Sequence, residues 1–234
     1  MKLILNPKYE HLRDYLTHLE EHFENEGHEI HRDRNIIRTL QVDDLTLCVK
    51  RYEEPGLKRR LQQMAYKASK SKQAYIKPLL LRERGFESPE SIAYVRFRHG
   101  LKEFTDYFVC LHSNYRYSMQ TLLNEPAEIQ DEVITSFAHY AARLHESGFI
   151  HRDFSSSNIL YDKIGERYHF SLVDTNSMEY GKSISIEEGC RNLAQLTGNN
   201  HFFELLSKFY AQERHSEAER CYELINNARQ KVMN

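Results

Sequence analysis

The spacing of apolar residues predicts a long helix in the second half of the chain. Between Glu128 and Ser147 apolar residues recur every three or four positions, which gives a helix one buried face. Pro126 precedes this segment and Gly148 follows it, and these residue types suit a helix start and a C-terminal cap. We therefore expect a helix over residues 128–147.

A tight loop and a hairpin are predicted after this helix. Ile159–Tyr161 has the pattern of a short strand, residues 162–165 that of a turn, and His169–Val173 that of the return strand. Asp174 then stands at the tip of the second strand. Residues 151–158 form the loop between helix and hairpin.

Strand patterns also mark the first half of the chain. Leu45–Tyr52, with the sequence LTLCVKRY, alternates in the manner of a strand. Ile92–Phe97 and Tyr107–Leu111 are predicted to be later strands of the same sheet. This half is therefore expected to be a small antiparallel sheet.

Composition narrows the class of protein. A chain of 234 residues suits one domain with a substantial core. The aliphatic run Leu79–Leu81 cannot span a bilayer, and the N-terminal apolar stretch is too short for a secretory signal. The four cysteines form no CxxC pair, and the simplest interpretation is that they are reduced thiols. A cytoplasmic location is therefore expected. A pI near 6.7 and the lack of a binding motif argue against nucleic acid.

The net charge of −2 conceals a basic segment. Residues 50–84 hold eleven Lys and Arg against three Glu. Apolar residues at helical spacing within 56–72 predict a basic amphipathic helix. Such a helix can contact an anionic membrane surface peripherally or grip a phosphorylated substrate. The alternative is a helix that packs on the sheet and leaves its charges in solvent.

The richest chemistry lies in the segment HRDFSSSNIL, which begins at His151. Asp153 stands five positions before Asn158, and Asp174 ends the following hairpin. Phosphoryl transfer needs a carboxylate to orient the acceptor hydroxyl and oxygen ligands for magnesium. The segment resembles the protein-kinase catalytic loop H-R-D-x-x-x-x-N at all four fixed positions. A second HRD at residues 31–33 lacks the asparagine and the strand, so we interpret it as a solvated charged turn.

The motif and the element order together predict the fold. We expect an α+β, two-lobed protein-kinase-like fold, in one domain covering 1–234. Residues 1–112 would form the antiparallel-sheet lobe with the basic helical insertion, and residues 113–234 a shortened, mainly helical lobe. Lys50 on the predicted strand would pair with the α- and β-phosphates of ATP. The backbone of 112–114 would contact adenine.

Several parts of a protein kinase are missing. No G-x-G-x-x-G precedes Lys50, and Arg34 and Asn35 are candidates to contact the nucleotide instead. The following helix offers only Glu83 as an ion-pair partner for Lys50, and Pro78 is expected to interrupt it. Sixty residues follow Asp174, too few for the helices on which a protein substrate docks. A small molecule or a glycan is therefore the expected acceptor.

The chain is similar to the lipopolysaccharide core kinases of the Kdo/WaaP and InaA type from Gram-negative bacteria. The resemblance covers nearly the whole length. It depends on three segments, KSKQAYIKPLLLRERGFESPESIAY, LHESGFIHRDFSSSNIL and FSLVDTNSM, and on GCRNLAQL near Cys190. It implies transfer of the γ-phosphoryl group of ATP to a Kdo or heptose hydroxyl of the lipid A–core glycolipid, at the inner face of the cytoplasmic membrane.

Each site residue has an expected role. Asp153 would orient the acceptor hydroxyl as the catalytic base, Asn158 and Asp174 would hold Mg²⁺, and Lys50 would neutralise the nucleotide. Two alternatives stay open. A small Ser/Thr/Tyr protein kinase would share these residues, and a non-catalytic pseudokinase scaffold would explain the missing glycine loop and glutamate.

Overall fold

A computed structural model describes residues 1–52, 60–100 and 103–233, with side chains outside 60–70 and 232–233. The chain divides into two compact units. The first, the sheet unit, comprises Met1–Glu83 and Pro89–Asn114. The second, the helical unit, comprises Arg84–Ser88 and Tyr115–Asn234.

The sheet unit is built on a six-stranded antiparallel sheet. Its strands are β1 (Lys2–Leu5), β2 (His28–Arg32), β3 (Asn35–Val42), β4 (Leu45–Tyr52), β5 (Ser91–Arg98) and β6 (Phe104–Leu111). They lie in the order β1-β5-β6-β4-β3-β2. The predicted strand over 45–52 is confirmed residue for residue, and the two later strands are longer than predicted. The HRD copy at 31–33 spans the exposed end of β2 and a bend, in agreement with its interpretation.

Two short helices, α1 (Arg13–Thr17) and α2 (Leu19–Asn25), cover one face of this sheet. A 3-10 turn over Pro7–Leu12 leads into them. Their buried side chains pack with those of the central strands in one apolar core, which includes Leu12, Leu16, Leu19, Phe23, Leu47, Val49, Val95 and Val109. The buried residues Leu12, Leu16, Leu19 and Phe23 recur at three- and four-residue spacing, a pattern that the sequence analysis did not use.

The third helix, α3 (Arg60–Glu83), packs against β5 and β6. The expectation that Pro78 interrupts it is wrong, because the helix runs through that residue. Proline removes one backbone hydrogen bond. The burial of Ala74 and Tyr75 before Pro78 and of Leu81 after it stabilises the helix in spite of that loss.

The helical unit carries four longer helices and short strands. The helices are α4 (Ala127–Glu146), α5 (Ile186–Leu193), α6 (Asn200–Glu213) and α7 (Ala218–Met233). The strands are β7 (Tyr117–Ser118), β8 (Phe149–His151), β9 (Ile159–Ile164), β10 (Arg167–Leu172) and β11 (Met178–Tyr180). They form a sheet β10-β9-β7 and a pair β11-β8.

The predicted helix over 128–147 is confirmed with a shift of one residue at each end. Gly148 follows it with φ +78°, and its amide donates to the carbonyl of His145 over 3.0 Å. A Cβ atom at Gly148 would lie 2.8 Å from the carbonyl oxygen of Lys182. Glycine is therefore needed here both for the left-handed backbone and for the close approach.

The hairpin is confirmed, but its turn lies further along the chain than predicted. β9 continues to Ile164, and the reversal falls at Gly165 and Glu166. Asp162 was expected to open the turn. Instead it is buried within the strand, where Arg116 donates two hydrogen bonds to its carboxylate, of 2.9 and 2.6 Å.

The predicted fold class is confirmed, with an antiparallel sheet in the N-terminal part and a helical C-terminal part. No helix within the described ranges is long and apolar enough to cross a membrane.

Candidate active site

The catalytic-loop motif lies between β8 and β9 of the helical unit. His151 ends β8, and a 3-10 turn over Ser156–Asn158 leads directly into β9. Within the loop, the side-chain amide of Asn158 donates to the backbone carbonyl of Asp153 over 3.0 Å. This bond uses the amide nitrogen of Asn158 as donor and does not involve its amide oxygen, the atom that can act as a ligand.

The end of the hairpin brings Asp174 to the same loop. The amide of Val173 donates to the carbonyl of Asn158 over 3.0 Å. Because Val173 directly precedes Asp174, this bond holds the backbone before Asp174 beside the backbone of Asn158. The three oxygen-bearing residues of the prediction are thus assembled within one unit.

The side chain of His151 links the catalytic loop to the end of the hairpin. It is fully buried, its Nδ1 accepts from the amide of Asp153 over 3.2 Å, and its Nε2 donates to the carbonyl of Val173 over 3.1 Å. Burial lowers the pKa of His151. A neutral ring with its proton on Nε2 satisfies both bonds, so His151 links the catalytic loop to the end of the hairpin.

Asp174 adopts a left-handed backbone conformation, with φ 52° and ψ 42°. Aspartate tolerates this region better than most residues. The side-chain amide of Asn176 donates to Asp174 Oδ1 over 2.7 Å. Asn176, to which the sequence analysis assigned no role, therefore orients the carboxylate.

Arg152 has a defined environment that the sequence did not reveal. Its guanidinium donates two hydrogen bonds of 2.6 Å to Glu179 on β11 and lies 3.5 Å from Glu188 on α5. Lys182 pairs with the same two glutamates, at 3.3 and 2.9 Å. The guanidinium of Arg152 lowers the pKa of Glu179 to about 2. This charged network links the catalytic loop to the segment that follows Asp174.

A series of buried hydrogen bonds between polar side chains also holds the catalytic loop. The hydroxyl of Tyr210 donates to His145 Nδ1 over 2.9 Å, and His145 Nε2 donates to Asn192 Oδ1 over 3.1 Å. The amide of Asn192 then donates to the carbonyl of His151 over 2.7 Å. A Cβ atom at Gly189 would lie 2.0 Å from the Tyr210 hydroxyl, so only glycine fits there. These hydrogen bonds connect α6, α4 and α5 to the catalytic loop.

Lys50, Asn35 and Arg34 belong to the sheet unit. Lys50 pairs with Ile37 across β3 and β4, and Asn35 pairs with Tyr52. Because directly paired residues share a face and alternate residues of a strand return to it, Asn35 and Lys50 lie on one face of the sheet. Arg34 lies at the tip of the β2–β3 hairpin, 93% exposed in its side chain. The hairpin tip is thus formed without the glycines of a protein kinase.

The same sheet face carries a buried ion pair. Arg96 donates two hydrogen bonds to Asp106, of 2.5 and 2.7 Å, and the hydroxyls of Ser71 and Tyr94 donate to the same carboxylate over 2.8 and 3.3 Å. Ser71 belongs to α3. The helix is therefore anchored to the sheet through Asp106, a residue without any recognisable motif in the sequence.

The predicted basic helix over 56–72 is helical from Arg60 onward, but most of its side chains lie outside the described part of the chain. Positions 53–59 are not described, and neither are the side chains of 60–70. The described continuation shows Ser71 buried and Lys72 exposed. The proposed membrane contact stays a prediction.

The paired ligands fit magnesium. One carboxylate and one side-chain amide, on backbone segments that the bond from Val173 to Asn158 joins, are the sparse oxygen set that Mg²⁺ accepts together with substrate phosphates. Within 1–52, 60–100 and 103–233 no three His, Cys, Asp or Glu residues are grouped as a metal cage. Asn158 and Asp174 thus suit a cation shared with a nucleotide better than a permanently caged ion.

Fold and loop together define a protein-kinase-like architecture. The sequence matches no protein-family model and no curated protein. The structure is similar to that of WaaP in complex with acyl carrier protein, with a TM-score of 0.64 and 13% identity over 100% of both chains. It is also similar to a microcompartment-associated aminopropanol kinase, with a TM-score of 0.54 and 9% identity over 92% of this chain and 86% of that one.

A third similar structure is that of WbdD, a bifunctional kinase-methyltransferase. The TM-score is 0.51 and the identity 16%, over 87% of this chain and 45% of WbdD. The chain thus spans less than half the length of WbdD. At these identities the likeness establishes the WaaP-like, protein-kinase-like fold predicted from the sequence.

Proposed function

We propose that the protein is an ATP-dependent kinase that phosphorylates a sugar hydroxyl, Kdo or heptose, of the lipopolysaccharide core. The observation that carries the proposal is the assembly of Asp153, Asn158 and Asp174 around one loop, fixed by His151. The similarity in fold to WaaP supports the choice of a lipopolysaccharide acceptor. A cytoplasmic protein, peripheral at the inner face of the inner membrane, would meet that acceptor.

The acceptor hydroxyl is activated by Asp153 in this mechanism. Its carboxylate accepts the hydrogen bond of the hydroxyl and takes the proton as the oxygen bonds to the γ-phosphorus. The bond from the γ-phosphorus to the bridging oxygen of ADP breaks in the same in-line transfer. Asp153 is exposed, so a sugar hydroxyl can reach it.

Five residues would position the nucleotide phosphates, two of them through Mg²⁺. Asn158 and Asp174 would hold Mg²⁺, which supplies positive charge to the transferring phosphoryl group. Lys50 would pair with the α- and β-phosphates, and Asn35, on the same sheet face, and Arg34 would replace contacts that a glycine-rich loop makes elsewhere.

The proposal is tested by incubating the protein with Mg·ATP and delipidated core oligosaccharide and measuring the mass of the sugar. We expect a mass increase of one phosphate, formed about 10²–10⁴-fold more slowly by Asp153→Asn and at the wild-type rate by Asp131→Asn. Asp131 is a matched surface control, because its carboxylate pairs only with the exposed His201 over 2.7 Å in the described contacts.

Other outcomes separate the alternatives. Labelled phosphate on Ser or Tyr of added proteins, with none on sugar, would favour a small protein kinase. Binding of Mg·ATP without transfer to either acceptor would favour a pseudokinase scaffold.

A further inference from the structure

Two cysteines that are 62 positions apart in the sequence face each other in the sheet unit. In the antiparallel pairing of β4 with β6, Cys48 lies directly opposite Cys110. Directly opposed residues have Cα atoms about 4.5–5.5 Å apart. A disulfide spans Cα separations of about 4.4–6.8 Å, so the strands need not move to allow one. Both residues are free thiols.

The two thiols differ in access and in charge environment. Cys48 is partly exposed, whereas Cys110 is only 6% exposed. Cys110 Sγ donates to the backbone carbonyl of Cys48 over 3.7 Å. The contact with Cys110 and the charge of Lys50 lower the pKa of the Cys48 thiol against the opposing effect of burial. The bond with Cys48 and burial raise the pKa of Cys110. Because Cys48 is the more exposed of the two thiols, it is suited to attack and Cys110 to resolve.

We propose that Cys48 and Cys110 form a modification site, a dithiol that reacts with low-molecular-weight disulfides and that bound nucleotide shields. The Cys48 thiolate attacks one sulfur of glutathione disulfide and releases one glutathione thiolate. Cys110 then loses its proton, attacks the Cys48 sulfur of the mixed disulfide and releases the second glutathione. Two protein thiols are oxidised, and one glutathione disulfide is reduced to two thiols.

The shielding follows from the sheet face. Cys48 and Lys50 are two positions apart on one strand and therefore point to the same side. A nucleotide whose phosphates pair with Lys50 covers this side, so this part of the inference depends on the proposed function. The chemistry of the dithiol does not.

The reaction is tested on the reduced full-length protein with glutathione disulfide at neutral pH, followed by alkylation and peptide mapping. We expect a Cys48–Cys110 disulfide, one bound glutathione at Cys48 in Cys110→Ser, and neither product on this pair in Cys48→Ser. Cys190 and Cys221, both fully buried, serve as the internal control and should stay reduced in the folded protein. Oxidation of that control pair at an equal rate, or glutathione on Cys110 in Cys48→Ser, would overturn the proposal.

The shielding is measured as the oxidation rate with and without saturating Mg·ATP, whose binding is followed separately by calorimetry. We expect a rate at least about tenfold lower with nucleotide, because thiol reactivity depends on access. Binding of Mg·ATP without any slowing would overturn the shielding alone. Lack of binding would contradict the proposed function, and the trapping result would still decide the dithiol.

Discussion

His151 and Val173 are joined by a hydrogen bond of 3.1 Å from the ring Nε2 to the backbone carbonyl oxygen. Since Val173 precedes Asp174, and the other ring nitrogen accepts from the amide of Asp153, one buried ring sets the distance between the catalytic loop and the end of the hairpin. The His-Arg-Asp motif thus supplies a histidine that holds the loop in place as well as the carboxylate of Asp153.

Replacing Asp153 by Asn should abolish the proton acceptor and keep the loop. The backbone amide and carbonyl of this residue make the bonds to His151 and Asn158, so they persist in the variant. We expect turnover to fall about 10²–10⁴-fold, the usual contribution of a general base. Affinity for Mg·ATP, measured by calorimetry, should be unchanged. A variant with normal turnover would remove Asp153 from the mechanism.

Asn176→Ala should weaken the binding of Mg·ATP. The lost bond of 2.7 Å orients Asp174 Oδ1, and a hydrogen bond to a charged group contributes about 1.5–3 kcal/mol, less where it is exposed. We expect an affinity about 3–30-fold lower by calorimetry, smaller than the loss in Asp174→Asn. The affinity for ADP without magnesium is the control and should not change. Equal affinities for Mg·ATP in wild type and Asn176→Ala would contradict this role.

Arg152→Met should loosen the segment after Asp174 with little effect on global stability. The pair with Glu179 is 43% and 46% exposed, and exposed ion pairs contribute about 0–1 kcal/mol. Hydrogen exchange of residues 178–188 should nevertheless accelerate, because Arg152 adds side-chain bonds from the loop to Glu179 and Glu188 beyond the pairing of β11 with β8. Arg220→Met is a matched control, since Arg220 pairs with Glu187 on the same helix α5 without touching the catalytic loop. Similar exchange in both variants would argue against the link.

Elements with a simple period could be predicted from the sequence. β4 and α4 are each long enough for the alternation or the three- and four-residue spacing to be unambiguous, and their observed bounds agree to within one residue. The catalytic-loop motif at 151–158 could also be recognised from the sequence, because phosphoryl transfer requires particular residue types at a fixed spacing. The turn after β9 was misplaced because Asp162 has a turn-like side chain whose charge is satisfied by Arg116, which is distant in sequence.

The supporting interactions left no such trace. The hydrogen bonds of His145 join it to Tyr210, 65 positions away, and to Asn192, 47 positions away. None of these residues belongs to a recognisable motif in its own segment of the sequence. The same holds for the cross-strand pair Cys48–Cys110, which exists only once the strand register is known. Long-range polar partners depend on tertiary packing, which local periodicity does not specify.

Asp106→Leu should strongly destabilise the sheet unit. The carboxylate accepts four hydrogen bonds, and its removal leaves Arg96 partly buried without its bidentate partner. Breaking a buried pair costs about 3–5 kcal/mol, and less is expected here because Arg96 is 23% exposed. In urea unfolding, the double variant Arg96→Met/Asp106→Leu should recover most of the loss. A double variant as unstable as Asp106→Leu would show that the pair is not the cause.

The stability of the helical unit should fall as the pH drops from about 6.5 towards 4. Burial lowers the pKa of His145 from its ordinary value of 6.5 to about 4, so the unfolded chain takes up this proton at a higher pH than the folded one. The stabilisation is therefore complete above pH 6.5 and is lost in this window. From pH 7 to pH 5 the loss due to His145 alone should be about 2 kcal/mol. Burial lowers the pKa of His151 in the same direction.

His145→Gln isolates this effect in urea unfolding at pH 7, 6 and 5. Glutamine keeps a donor and an acceptor for Asn192 and Tyr210 but does not titrate, so the variant should be less stable at pH 7 and lose less stability on acidification. Carboxylates that titrate in the same range affect both proteins equally, and the difference between the two slopes reports His145. Parallel slopes would mean that protonated His145 is accommodated in the folded chain, and the Tyr210–His145–Asn192 connection to the catalytic loop would then not require a neutral ring.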